Sequence, residues 1–133
     1  MSKEFVPYQP SLDMKEIGFD EPCVYYVDKN NESYIYNFET HPDEFIEWCG
    51  VNVIPTPTFS QAFRWILKNH KLHSFVDIYP TTDEPDRCWF MIRYLERGED
   101  GKEDYMSGWF TNQDNINNSR LNKLLEIIES KSE

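Results

Sequence analysis

His70 and His73 stand three residues apart, a spacing at which two imidazoles on one helix can share a zinc ion. Placement argues against it. His70 falls at the end of a predicted helix and His73 in a predicted strand, and the third histidine, His41, has no Cys or His motif beside it to complete four ligands. A nucleophilic site would need Ser or Cys within reach of a histidine and an orienting acid. Cys88, His73 and Asp77 have the right types, but strand alternation sends Cys88 to the side of Phe90, Ile92 and Tyr94. His73 and Asp77 then share the other side with Phe75 and Tyr79, and Cys88 is expected to be a buried, inert thiol. The 24 carboxylates are so abundant that a catalytic pair among them carries no signal. The five glycines, at 18, 50, 98, 101 and 108, are too scattered for a phosphate-cradling loop. No catalytic residue, metal ligand or cofactor is assigned, and a non-enzyme is expected.

The informative feature is instead a sheet face. Residues 72–79 and 87–95 read as strands separated by the breaker segment 80–86. If Leu72, Val76, Ile78, Phe90 and Ile92 face the helices, then Phe75, Asp77, Tyr79, Trp89, Met91 and Arg93 point the opposite way. That side is aromatic too, whereas an antiparallel sheet with one wet face normally shows polar residues outward. A cover is therefore expected. The candidates are the hairpin residues Tyr34, Tyr36 and Phe38, the N-terminal arm, a second subunit, or a ligand, with internal cover or a homodimer favoured. If the face is open, Phe75, Tyr79, Trp89, Met91 and Arg93 form an interaction face, and Trp89, Tyr79 and Arg93 are of the types enriched at interface hot spots.

The elements that must position this face follow from local patterns. Residues 1–10, with Pro7 and Pro10, read as an extended arm, and a short helix capped by Ser11 runs to Gly18, a residue suited to the left-handed position after a helix. Residues 22–27 and 33–38 flank the polar turn 28–32 as a β-hairpin. Thr40 and Pro42 open a short helix with Phe45, Trp48 and Cys49 inward, closed by Gly50. Residues 51–54 are a brief strand or extended link. Thr58 and Gln61 make a capping box, and Phe59, Ala62, Phe63 and Ile66 form one apolar stripe, with the helix ending near Asn69. A third strand covers 105–110, and Leu121, Leu124, Leu125 and Ile128 mark a C-terminal helix that begins between 114 and 118. The expected fold is α+β: a mainly antiparallel sheet of about five strands with two principal helices on one face, in a single domain spanning 11–130, with 131–133 frayed.

Composition bounds the rest. A chain of 133 residues suits one domain, and 39% hydrophobic residues supply a core. The net charge of −11 opposes direct binding to nucleic acid or to an anionic membrane. No apolar run reaches the roughly 20 residues of a membrane span, and the first residues lack a secretory h-region, so a cytoplasmic protein is expected. Cys23, Cys49 and Cys88 are odd in number and widely spaced, and read as packing residues.

Gly18-Phe19-Asp20-Glu21-Pro22-Cys23 and Pro57-Thr58-Phe59-Ser60-Gln61-Ala62-Phe63-Arg64-Trp65 resemble segments of an uncharacterised family of small phage and prophage proteins. The resemblance spans residues 11–95. Both segments are structural punctuation, and the family has no assigned activity, so no functional residue is carried over. The resemblance implies a phage-encoded accessory protein inside a bacterial cell. The expected function is thus a non-enzymatic accessory or binding protein that works through protein contacts and self-associates. The alternative is an acidic inhibitor that mimics DNA to block a basic host nucleic-acid enzyme, and a small hydrolase with a carboxylate site ranks last.

Overall fold

A computed structural model describes residues 5–21, 23, 25–28, 30, 33–35, 54–95, 104–111 and 116–131. The described chain is α+β. It contains α1 (Tyr8–Glu16), β1 (Tyr25–Val27), β2 (Ser33–Ile35), β3 (Ile54–Thr56), α2 (Phe59–His70), β4 (Leu72–Ile78), β5 (Cys88–Tyr94), β6 (Tyr105–Met106) and α3 (Ile116–Lys131). The expectation of one sheet of about five strands with two helices is corrected. Among the described residues there are three helices and two antiparallel three-stranded sheets, ordered β2-β1-β3 and β4-β5-β6. The hairpin takes Ile54–Thr56 as its third strand, so β1 pairs with β2 and β3 and with no strand of the later meander. Cα packing groups the chain into two compact units, Met1–Ala62 and Phe63–Glu133.

In the first unit the expected arm is anchored and partly helical. The Val6 N–H donates to the Pro57 carbonyl at 3.0 Å, the Phe5 ring meets Tyr25 edge-on at 4.1 Å, and Val6 is fully buried. α1 starts at Tyr8, three residues before the expected cap. Pro10 lies in the first turn, where its missing N–H costs no hydrogen bond, and the Ser11 hydroxyl donates back to the Val6 carbonyl at 3.1 Å. The helix stops as expected at Gly18. Its φ of +102° allows the N–H groups of Gly18 and Phe19 to reach the Lys15 and Met14 carbonyls at 3.1 and 3.0 Å, and Met14 and Phe19 are buried together. The hairpin forms with Tyr25, Tyr26 and Val27 opposite Ile35, Tyr34 and Ser33. β3 places Pro55 opposite Tyr26 on an edge strand, where a residue without an N–H is tolerated. Thr58 Oγ1 accepts from the Gln61 N–H at 3.1 Å, as the capping box requires, while the Gln61 side-chain amide donates to Glu21 Oε1 at 3.2 Å. The continuation of the hairpin through Tyr36 and Phe38, and the helix expected from Thr40 to Gly50, lie outside the described residues.

In the second unit α2 turns directly into β4 through Lys71, whose φ is +57°. The Lys71 N–H closes the helix on the Leu67 carbonyl at 3.2 Å, and its carbonyl takes the Leu95 N–H at 3.0 Å. β4 and β5 form the expected antiparallel pair from Leu72 opposite Tyr94 to Ile78 opposite Cys88, and β6 adds to β5. The inner side of this sheet carries Leu72, Phe90 and Ile92, all buried, and α3 contributes the expected stripe of Leu121, Leu124, Leu125 and Ile128. Ile78 departs from expectation: at the strand end it is exposed rather than part of the core. The end of α3 passes Ser130 and reaches Lys131, and 132–133 lie outside the described residues. No described helix is long and apolar enough to cross a membrane.

Candidate functional site

The register brings the predicted face together. Asp77 lies opposite Trp89, Phe75 opposite Met91, and His73 opposite Arg93, so their side chains share one side of the sheet. Beyond Ile78 the ladder continues by one bond, from the Tyr79 N–H to the Arg87 carbonyl at 2.9 Å, which sets Tyr79 beside Trp89. The connecting turn is closed internally. The Glu84 N–H donates to Thr81 Oγ1 at 2.9 Å, and the Glu84 carbonyl accepts from Thr81 at 3.0 Å and from Arg87 at 3.3 Å.

The third wall comes from the chain after β6, and a one-residue irregularity creates it. Met106 lies opposite Met91, the Ser107 N–H donates to the Phe90 carbonyl at 3.0 Å, and Ser107 Oγ accepts the Phe90 N–H at 2.9 Å. Cys88 and Phe110 then exchange both backbone bonds, at 2.9 and 2.7 Å. Between these fixed points β5 has Trp89 alone, whereas its partner has Gly108 and Trp109. Two residues against one is a β-bulge. The expected unbroken strand over 105–110 is therefore corrected: regular alternation from Met106 would carry Trp109 inward and Phe110 outward. With the extra residue, Phe110 returns to the inner side, 5.9 Å from Phe90, and Trp109 comes out beside Trp89.

The result is a cup of tilted rings. Tyr79 and Trp109 meet edge-to-face at 5.8 Å and 85°, Tyr79 and Trp89 lie 6.3 Å apart at 37°, and Trp89 and Trp109 lie 6.3 Å apart at 60°. The Arg87 guanidinium stacks 3.7 Å from the centre of the Trp109 ring, a cation–π contact that occupies this cation. With Ile78, Pro80, Thr81 and Met106 these residues line a groove of about 710 Å³, within the size range of ligand sites. The walls are open: Tyr79 is 50%, Trp109 54% and Met106 60% exposed. Trp89 is half-buried, and its indole Nε1 is enclosed without an acceptor among the described residues.

Of the five residues expected to form an interaction face, the groove takes Tyr79 and Trp89. Phe75, Met91 and Arg93 sit farther along the same side, where Arg93 donates to Asp104 at 3.3 Å and lies 5.7 Å from the Phe75 ring. Sequence reasoning missed Arg87, Met106, Trp109 and the exposure of Ile78. The one usable signal was Gly108 inside a strand pattern, since an interior glycine often marks a bulge.

The reactive candidates do not converge. Cys88 is fully buried on the inner side, away from His73 and Asp77, and desolvation followed by the nearby Asp86 charge pushes its thiol upward. Cys23 is half-buried, and burial, with Glu21 adding to it, raises its thiol to about 12. His70 packs 5.3 Å from Trp65, and the exposed His73 stacks on Phe75 at 5.5 Å. Among the described residues no three His, Cys, Asp or Glu side chains are grouped to hold a metal ion; His41 and Cys49 lie outside them. A second polar cluster is structural. Arg120 on α3 stacks 3.9 Å over Phe63, donates to the Ser74 carbonyl and hydroxyl and to Asn117 at 3.0 Å, and is held below its ordinary pKa, to about 10, by desolvation. It covers an outward-facing carbonyl of β4 with a charge, one of the ways proteins protect strand edges.

No family model, curated protein or solved structure matches the chain.

Proposed function

We propose that this protein is a non-enzymatic binding protein that works through protein–protein contacts made by the Tyr79–Trp89–Trp109 groove. The observation that carries this reading is the exposure of Tyr79, Met106 and Trp109 around one concavity. Rings left half in water forgo part of the stabilisation that full burial gives, and such clustered apolar surface marks interaction sites. The resemblance to phage and prophage proteins supplies the setting, an accessory protein in the bacterial cytoplasm. The experiment is affinity capture from a host lysate on wild-type protein and on Trp109→Ala. The reading expects a partner retained by the first and lost from the second. Identical captures on both columns would contradict it.

A further inference from the structure

The geometry points to the occupant of this groove as a cationic segment of a foreign protein, one that carries Lys or Arg beside an apolar anchor. This rests on the groove being the binding surface and goes on to specify what it selects. Three carboxylate residues, Asp83, Glu84 and Asp86, are exposed on the turn whose first residues, Pro80 and Thr81, line the groove. The backbone of that turn is fixed by its own hydrogen bonds, so the segment that carries the three carboxylates stays beside the groove. The cation lining the groove, Arg87, is already stacked on Trp109 and backbone-bonded to Glu84. The rim is thus acidic with the neighbouring basic group engaged, while the floor is apolar. A ligand that matches both parts places a side chain such as Leu, Pro or Met on the rings and a basic group over the turn.

Charge also decides against the two other occupants. A second copy would bring another −11 chain, and with it another acidic turn, against the first, and like charges brought together oppose association. An acidic segment would meet the same repulsion at the rim. A pure phosphate mimic would need carboxylates alone, whereas here they border exposed rings.

The test is a random-peptide display library panned on wild-type protein, on Trp109→Ala, and on the triple variant Asp83→Asn, Glu84→Gln, Asp86→Asn. All four side chains are exposed, and near-UV circular dichroism checks that each variant keeps its fold. The expected result is enrichment on wild type of peptides with net positive charge and an apolar residue. Enrichment should vanish on Trp109→Ala, and the positive bias should vanish on the triple variant. Synthetic copies of enriched peptides should bind about ten-fold or more weaker when moved from low salt to roughly 0.5 M, because rim charges are screened. Enrichment of neutral or acidic peptides that still depends on Trp109 would overturn the cationic selectivity and leave the groove reading standing. Equal enrichment on wild type and Trp109→Ala would overturn both. A dimer in sedimentation that Trp109→Ala dissociates would assign the groove to a second copy and overturn the proposal.

Discussion

Deleting Gly108 should leave the fold and the ring cup intact. Between the Phe90–Ser107 and Cys88–Phe110 contacts, one residue of β5 faces two of its partner. Removal of one of the two turns the bulge into regular antiparallel pairing, with Trp109 opposite Trp89 and Phe110 still opposite Cys88. The terms are small and opposed. One fewer residue to order returns about 1–2 kcal/mol of backbone entropy, while the Ser107 Oγ bond to the Gly108 carbonyl, 2.9 Å long and exposed, is worth about 0.5–1.5 kcal/mol. Stability in urea should therefore change by no more than about 1.5 kcal/mol, and the near-UV circular dichroism of the clustered rings should persist. The same deletion placed at Met91 should behave differently, since it would turn Phe90 outward and Trp89 inward and forfeit about 1.5–3 kcal/mol for Phe90 alone. If the Gly108 deletion unfolds the protein or abolishes the ring signal, the two-against-one pairing is not what sets Trp109.

Three further outcomes follow from named contacts. Arg120→Ala should lower stability by roughly 2–4 kcal/mol in chemical denaturation, because the buried Ser74 hydroxyl loses its donor and Phe63 its stacked partner; a loss below about 0.5 kcal/mol would show the cluster to be incidental. Lys71→Gly should raise stability by about 0.5–1 kcal/mol by relieving the left-handed φ, and Lys71→Val should lower it, with thermal melts as the readout. Cys23, raised to about 12 in the folded state, keeps its proton when the unfolded thiol has lost it. The unfolded state therefore binds fewer protons than the folded state between about pH 9 and pH 12, and stability should fall as pH rises through that window. Urea midpoints at about pH 8 and pH 10 should separate more for the wild type than for Cys23→Ala; equal separations would refute this assignment.

Local signals survived into the structure, and distant ones did not. The Thr58 cap, the Gly18 terminus, the hairpin pairing of 25–27 with 33–35, the apolar stripe of α3 and the antiparallel pairing of 72–78 with 88–94 are each written within a few residues, where hydrogen-bond geometry and side-chain period act directly. The partnership of Tyr25–Val27 with Ile54–Thr56 joins segments far apart in the chain, and no local period encodes it, which is why one sheet was expected where the described residues form two. The face bearing Phe75, Tyr79, Trp89, Met91 and Arg93 was legible because alternation holds through β4 and β5. Its extension by Trp109 was not, because a single bulge residue reverses every assignment after it. Ile78 was placed inside on parity alone, and at the end of β4 it is exposed.

The most direct test of the central claim observes the four tryptophan indoles, each of which gives its own N–H resonance. A peptide selected on the wild-type protein should be titrated into the 15N-labelled chain. The indole signals of Trp89 and Trp109 should shift together and saturably while that of the buried Trp65 stays in place. Binding that moves Trp65 and leaves Trp89 and Trp109 unchanged would contradict it.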